Sequence, residues 1–173
     1  MQMNIDINTL WVFYIYVLTS LAQEDAHCTS MCSGADCKSQ CKGRMASASS
    51  TGFHSQALAT GDLSTVECQG PFCNAECTGE LNVCMSKCVG RICTSQCKAS
   101  ACVSSSEGQS ASSHCFGPKC HSNCTGEGCV ATCVGANCIA ECFRNACKAI
   151  CTGHICHSEC KGRRCLKENN PDN

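Results

Sequence analysis

Twenty-four cysteines carry most of the chemistry open to this chain, and their spacing narrows what that chemistry is. Within three blocks successive gaps alternate between three and four residues, save six residues between Cys77 and Cys84, so the unit C-x-[SA]-x-C-x-G-x-x repeats with a period of nine. Thiols invite metal ligation, nucleophilic or redox catalysis, or cross-linking. Zinc sites and redox motifs both favour cysteines two residues apart. No gap here is shorter than three residues, so neither signature occurs. An even cysteine count leaves none over as an activated nucleophile beside a histidine. G-x-S-x-G and phosphate-cradling glycine loops are also missing.

Histidine supplies the remaining candidates. His114 precedes Cys115, His121 follows Cys120, His157 follows Cys156, and His154 lies two residues before Cys156. These four are the candidate imidazole partners of a thiolate metal site. A sulfur already in a disulfide is no longer a thiolate, so the favoured reading is of exposed histidines beside oxidised cysteines. No catalytic residue, cofactor or resident metal is assigned, and the protein is expected not to be an enzyme. Asn123-Cys124-Thr125 matches the N-glycosylation sequon. Lys161, Arg163, Arg164 and Lys167 form a short basic stretch, read mainly as solvated surface.

The elements that hold these cysteines follow from the residues between them. The midpoint of every C-x3-C is Ser or Ala: Ser30, Ser39, Ala75, Ser86, Ser95, Ser122, Ala131, Ala140, Ala149 and Ser158. Two residues past the second cysteine stands Gly in most units, with Ala99 and Arg144 as exceptions. Side chains of an extended strand alternate faces. Cys, small and Cys therefore share one face, and that face must be packed too tightly for anything larger. Glycine then supplies a turn.

Cysteines four apart on a strand lie about 13 Å from one another, beyond the roughly 4.4–6.8 Å that a bridge spans. The C-x4-C pairs fold back across the glycine turn and can close. The expected bridges are Cys68–Cys73, Cys88–Cys93, Cys97–Cys102, Cys115–Cys120, Cys124–Cys129, Cys133–Cys138, Cys142–Cys147, Cys151–Cys156 and Cys160–Cys165. Cys77 joins Cys84 across a longer loop, and Cys32–Cys37 nests inside Cys28–Cys41. Bridges between stacked coils meet the same distance rule, so the connectivity stays open at this level.

The fold class expected is a small disulfide-rich repeat protein, a compact β-solenoid or β-roll-like stack of nine-residue units with little regular secondary structure. Two units, 18 residues, make one coil. The alternative is short helical turns cross-linked by disulfides, because cysteines at i and i+4 also share a helix face. In building principle alone the solenoid resembles nonapeptide β-rolls and the disulfide-filled antifreeze solenoids of beetles. That resemblance raises ice binding, which needs one residue, typically Thr, repeated outward. The outward positions here vary, as in Val130 and Thr132 or Ile139 and Glu141, and no threonine ladder exists.

Composition supports cross-links over a conventional core. The chain has 173 residues, and from residue 23 onward only 21 are Leu, Ile, Val, Phe or Met. So few large apolar side chains cannot hold an ordinary interior without another constraint. A formal net charge of −1 argues against a nucleic-acid partner. Leu10–Leu18 is apolar but short of the roughly 20 residues that span a bilayer, and Ser20-Leu21-Ala22 fits a cleavage site. Residues 1–22 are read as a secretory signal peptide, leaving no stable membrane span, and the cysteine load suits an oxidising compartment.

The domain organisation expected is a first cysteine block at 28–41, a flexible Ser/Ala/Thr/Gly linker at 42–67, and a second block at 68–102. A Ser-rich linker at 103–114, a third block at 115–165 and a disordered tail at 166–173 complete it. The function expected is a secreted, non-catalytic scaffold, structural or protein-binding, whose partner is an extracellular protein or matrix component. The alternatives are a secreted effector or toxin-like protein, and a metal-sequestering protein of metallothionein type.

Overall fold

A nine-residue beat of inward cysteine and small residues builds two facing parallel sheets. The computed structural model describes residues 27–79 and 83–171. Among them are sixteen strands and no helix, so the cross-linked helical turns are not formed. The first sheet holds, in spatial order, β1 (His27–Ser33), β3 (Met45–Thr51), β5 (Ser64–Gln69), β7 (Val83–Val89), β9 (Ala101–Glu107), β11 (Cys120–Thr125), β13 (Cys138–Phe143) and β15 (Cys156–Lys161). The second holds β2 (Lys38–Lys42), β4 (Gln56–Thr60), β6 (Asn74–Thr78), β8 (Thr94–Lys98), β10 (Ser112–Phe116), β12 (Val130–Val134), β14 (Lys148–Thr152) and β16 (Leu166–Asn170). Each coil crosses one sheet, turns, and returns along the other. The result is a β-solenoid of about eight coils, with more regular strand than the nine-residue unit alone suggested.

Every strand lies in parallel register on the strand one coil away. His27 pairs with Met45 and Cys115 with Cys133, an offset of 18 residues. Two pairings differ, one in each sheet: Ser64 of β5 pairs with Cys84 of β7, and Asn74 of β6 with Thr94 of β8, each at an offset of 20. The two extra residues between Cys77 and Cys84 are absorbed outside the strands, so the side-chain alternation stays in phase.

The interior is thin. Bridged cysteines of facing strands have Cα atoms 5.6–6.0 Å apart, against about 10 Å for ordinary stacked sheets. That gap explains the small midpoint residues. Val66 is the largest fully buried side chain, and cysteines make up the rest of the largest ones. Serine hydroxyls at the midpoints cross to the opposite sheet: Ser95, Ser104, Ser113 and Ser122 each donate to the backbone carbonyl nine residues earlier, at 2.8–2.9 Å. Serine fits because this second bond satisfies its buried hydroxyl.

The turns stack as tightly as the strands. Gly52 N–H donates to the Gln69 carbonyl, and Phe72 N–H to the Arg91 carbonyl, so the ladder runs round the corners. Gly70 shows why glycine holds its slot. Its φ is +140°, and a Cβ there would lie 2.1 Å from the Gly52 carbonyl oxygen one coil away. Both the backbone conformation and the stacking exclude a side chain.

Three expected segments differ in the structure. Residues 42–67 are not a flexible linker but carry β3, β4 and the start of β5. Residues 103–114 run through β9 and β10 in the same way. Residues 166–170 of the expected disordered tail form β16, paired with β14. The physical reason is that a coil needs small inward residues and turn glycines, not sulfur as such. Ser50, Ser55, Ala59, Ser64, Ser106 and Ala111 stand in cysteine slots, and all six are buried. The reading of residues 1–22 as a signal peptide lies outside the described residues.

Candidate functional site

The cysteines gather into two columns, one along each edge of the solenoid, because each strand places a cysteine slot near both of its ends. Along one edge lie Cys32–Cys37, Cys68–Cys73, Cys88–Cys93, Cys124–Cys129, Cys142–Cys147 and Cys160–Cys165. Along the other lie Cys28–Cys41, Cys77–Cys84, Cys97–Cys102, Cys115–Cys120, Cys133–Cys138 and Cys151–Cys156. These twelve are the local pairs reached from the spacing, and no described cysteine is free. Cys28–Cys41 has a reason of its own. Cys28 lies beneath Ala46, which stands where the regular partner of Cys41 would be. The two cysteines lacking a neighbour thus close the first coil on itself.

Stacking brings sulfurs of successive bridges together. Cys68, Cys73 and Cys88 lie with their sulfurs within 4.8 Å of one another, as do Cys77, Cys84 and Cys97, and three further groups. In the bridged state these atoms carry no thiolate charge to offer a cation. Sulfur also approaches backbone oxygen across coils, as Cys97 Sγ does at 3.1 Å from the Cys84 carbonyl.

The four candidate histidines are not brought to these sulfur groups or to one another. His114 sits on the outer face of β10, where its Nε2 is 2.8 Å from Ser112 Oγ, and burial lowers its pKa. His121 and His157 lie on the first sheet with Ile139 between them in the ladder. His121 Nε2 is 3.0 Å from Glu141 Oε2. His154 is exposed on the turn between β14 and β15. Asn123 faces outward on β11 between Ser105 and Glu141 of the neighbouring strands.

The outer faces are ladders of unlike residues. One column of the first sheet reads Thr29, Ser47, Thr65, Met85, Val103, His121, Ile139 and His157 through the register. Apolar residues gather at Val83, Met85 and Val103. An aromatic corner joins Phe53, His54 and Phe72, with ring centroids 4.3–5.3 Å apart.

Two features of the turns are absent from the sequence reading. Along the edge of Cys32–Cys37, the residue before the second corner slot adopts a left-handed φ of 54–68°, and Phe72 and Ile92 occupy it although bulky side chains avoid it. Arg144 takes a glycine slot at φ 120°. The departure of Arg144 from the glycine rule was the only signal for this in the sequence.

At the C-terminal end, Glu159 and Lys161 form an exposed ion pair of 2.7 Å. Their hydrogen bond lowers the pKa of Glu159 and raises that of Lys161. Among the described residues no helix is long and apolar enough to cross a membrane. No family model, curated protein or solved structure matches this chain.

Proposed function

We propose that this protein is a secreted, non-catalytic scaffold that presents variable outward residues on a disulfide-stapled frame to an extracellular protein or matrix component. The observation that carries the reading is the contrast between the two sides of each strand. From β1 to β15 the inward slots hold cysteine and small residues, with Val66 the one larger side chain, while the outward slots in register with them differ from coil to coil. Twelve bridges without a free thiol suit an oxidising compartment. Cross-links of this density replace the apolar core that the composition lacks.

The five sulfur groups favour a second reading, metal sequestration by the reduced chain. One experiment separates the two. The protein is recovered from the medium of a secreting host without reductant, and its thiols and bound metal are counted. The scaffold reading expects almost no titratable thiol, no stoichiometric zinc or copper, and a fold insensitive to chelator. It also expects saturable binding to a decellularised matrix preparation. Many free thiols carrying zinc or copper, with loss of the fold on chelation, would establish the sequestering reading instead.

A further inference from the structure

The C-terminal corner of the solenoid joins two observations that the frame itself does not require. The first is charge. Residues 143–173 hold six of the thirteen Lys and Arg and three of the fourteen Asp and Glu. The turns at 143–146 and 161–164 stack on one another: Arg144 N–H donates to the Lys161 carbonyl and Ala146 N–H to the Arg163 carbonyl, each at 2.8 Å. Arg163 N–H also donates to Asn145 Oδ1. Arg144, Arg163 and Arg164 therefore emerge from adjacent coils, about 4.8 Å apart, and all three are exposed. Lys161 is held by Glu159 and lies 5.4 Å over the Phe143 ring. Among the described residues no carboxylate lies within ion-pair distance of Arg144, Arg163 or Arg164.

The second observation is backbone strain at Arg144. Arg144 stands at φ 120° in the slot that Gly126 and Gly162 fill one coil to either side. Arg164 stands at φ 56°, the left-handed conformation that the residues one and two coils earlier, Ala146 and Gly128, also take. A side chain at the φ of Arg144 is strained where glycine is not. Every other coil places glycine in the slot of Arg144.

We infer that this corner is a docking site for a sulfated polysaccharide of the extracellular matrix. Guanidinium forks bind planar oxyanions through paired hydrogen bonds. A row of forks on successive coils suits an extended chain carrying repeated sulfates. Anionic lipid is concentrated in the cytoplasmic leaflet, so outside the cell the polyanion that meets this corner is a polysaccharide. The inference rests on the scaffold reading and names the chemistry of its partner.

The test uses the oxidised, thiol-free protein, with heparin as the sulfated probe, unsulfated hyaluronan as its control, and phosphatidylserine vesicles as a third arm. Arg144→Gly, Arg163→Ser and Arg164→Gly are combined in one variant, with glycine restored at two slots so that the fold is kept. Lys38→Gln, Lys98→Gln and Lys119→Gln, elsewhere on the surface, remove the same charge. Wild type and the lysine variant should bind heparin in a salt-sensitive way and hyaluronan weakly. The arginine variant should bind heparin less tightly by on the order of tenfold. Equal loss in both variants, binding as strong to hyaluronan, binding to vesicles alone, or no heparin binding would overturn the inference. Matrix retention that is the same in wild type and the arginine variant would also overturn it while leaving the scaffold reading intact. A native protein rich in thiols would instead remove the scaffold reading.

Discussion

Buried serine in this interior is a geometric choice rather than a polar intrusion. With facing strands so close, a midpoint hydroxyl reaches a carbonyl of the opposite sheet, and Ser104 does so at 2.9 Å while also meeting Ser95 Oγ at 2.8 Å. Ser158 is the exception, buried at 3% exposure with no partner for its hydroxyl. A buried hydroxyl without a bond costs about 1–3 kcal/mol, whereas a satisfied one contributes about 1 kcal/mol. Ser158→Ala should therefore leave stability unchanged or raise it by about 1 kcal/mol. Ser104→Ala should lower it by a similar amount, and denaturant titration of the oxidised proteins compares the two. A loss at Ser158 as large as that at Ser104 would show that its hydroxyl is bonded after all. The Ser/Ala rule at these midpoints was legible in the sequence, because spacing alone demanded something small. Which serines are satisfied was not, since that depends on distances between sheets.

An element of this fold is a half-coil: one strand, one corner and the slots for one bridge. The cysteine spacing announced these elements where sulfur is present and hid them where it is absent. In residues 42–67 the period survives in Gly43, Gly52 and Gly61 and in the small midpoints Ala48 and Ala57, while the cysteine slots hold Ser50, Ser55, Ala59 and Ser64. A reading that followed glycine as closely as cysteine would have continued the solenoid through both expected linkers. The ends follow the same logic. At the C-terminal end Lys167 pairs with Ala149 and Asn169 with Cys151, so charge and amide replace the small residue and the sulfur. Inward-pointing charge of this kind discourages further strand addition. If slot rather than sequence context decides bridging, Ser50→Cys with Ser55→Cys should form a thirteenth bridge in the column of Cys32–Cys37 and Cys68–Cys73. Intact mass should show the loss of two hydrogens, and thiol titration should find nothing. Closing so short a loop should add about 2 kcal/mol. Two persistent thiols would mean that this coil is spaced unlike its neighbours.

Across the whole molecule, covalent and non-covalent continuity do not coincide. No bridge links residues before 42 with those after 67, and none crosses 103–114. Apart from the nested pair Cys28–Cys41 and Cys32–Cys37, each bridge closes a loop of its own and none joins one coil to the next, so backbone ladders hold the coils together and residues 42–67 and 103–114 are the longest stretches without a staple. Flexible linkers and stacked coils make opposite predictions under protease. Lys42 and Arg44 lie in the first of these seams and Glu107 in the second. In a flexible segment trypsin would cut at Arg44 and release the first cysteine block, since both of its bridges are internal. A glutamate-specific protease would part the molecule again at Glu107. In the solenoid these bonds sit in or beside paired strands and stacked turns, and cleavage must wait for local opening. The oxidised protein should therefore stay one species under both proteases at temperatures where an unfolded control is cut within minutes. On heating short of global unfolding, the first fragments should arise at these two seams, because they are the longest stretches that no bridge staples. Mass spectrometry without reduction identifies the fragments. Immediate release of the first block at room temperature would mean that the ladder is broken between β2 and β6, and that the cysteine blocks are separate bodies.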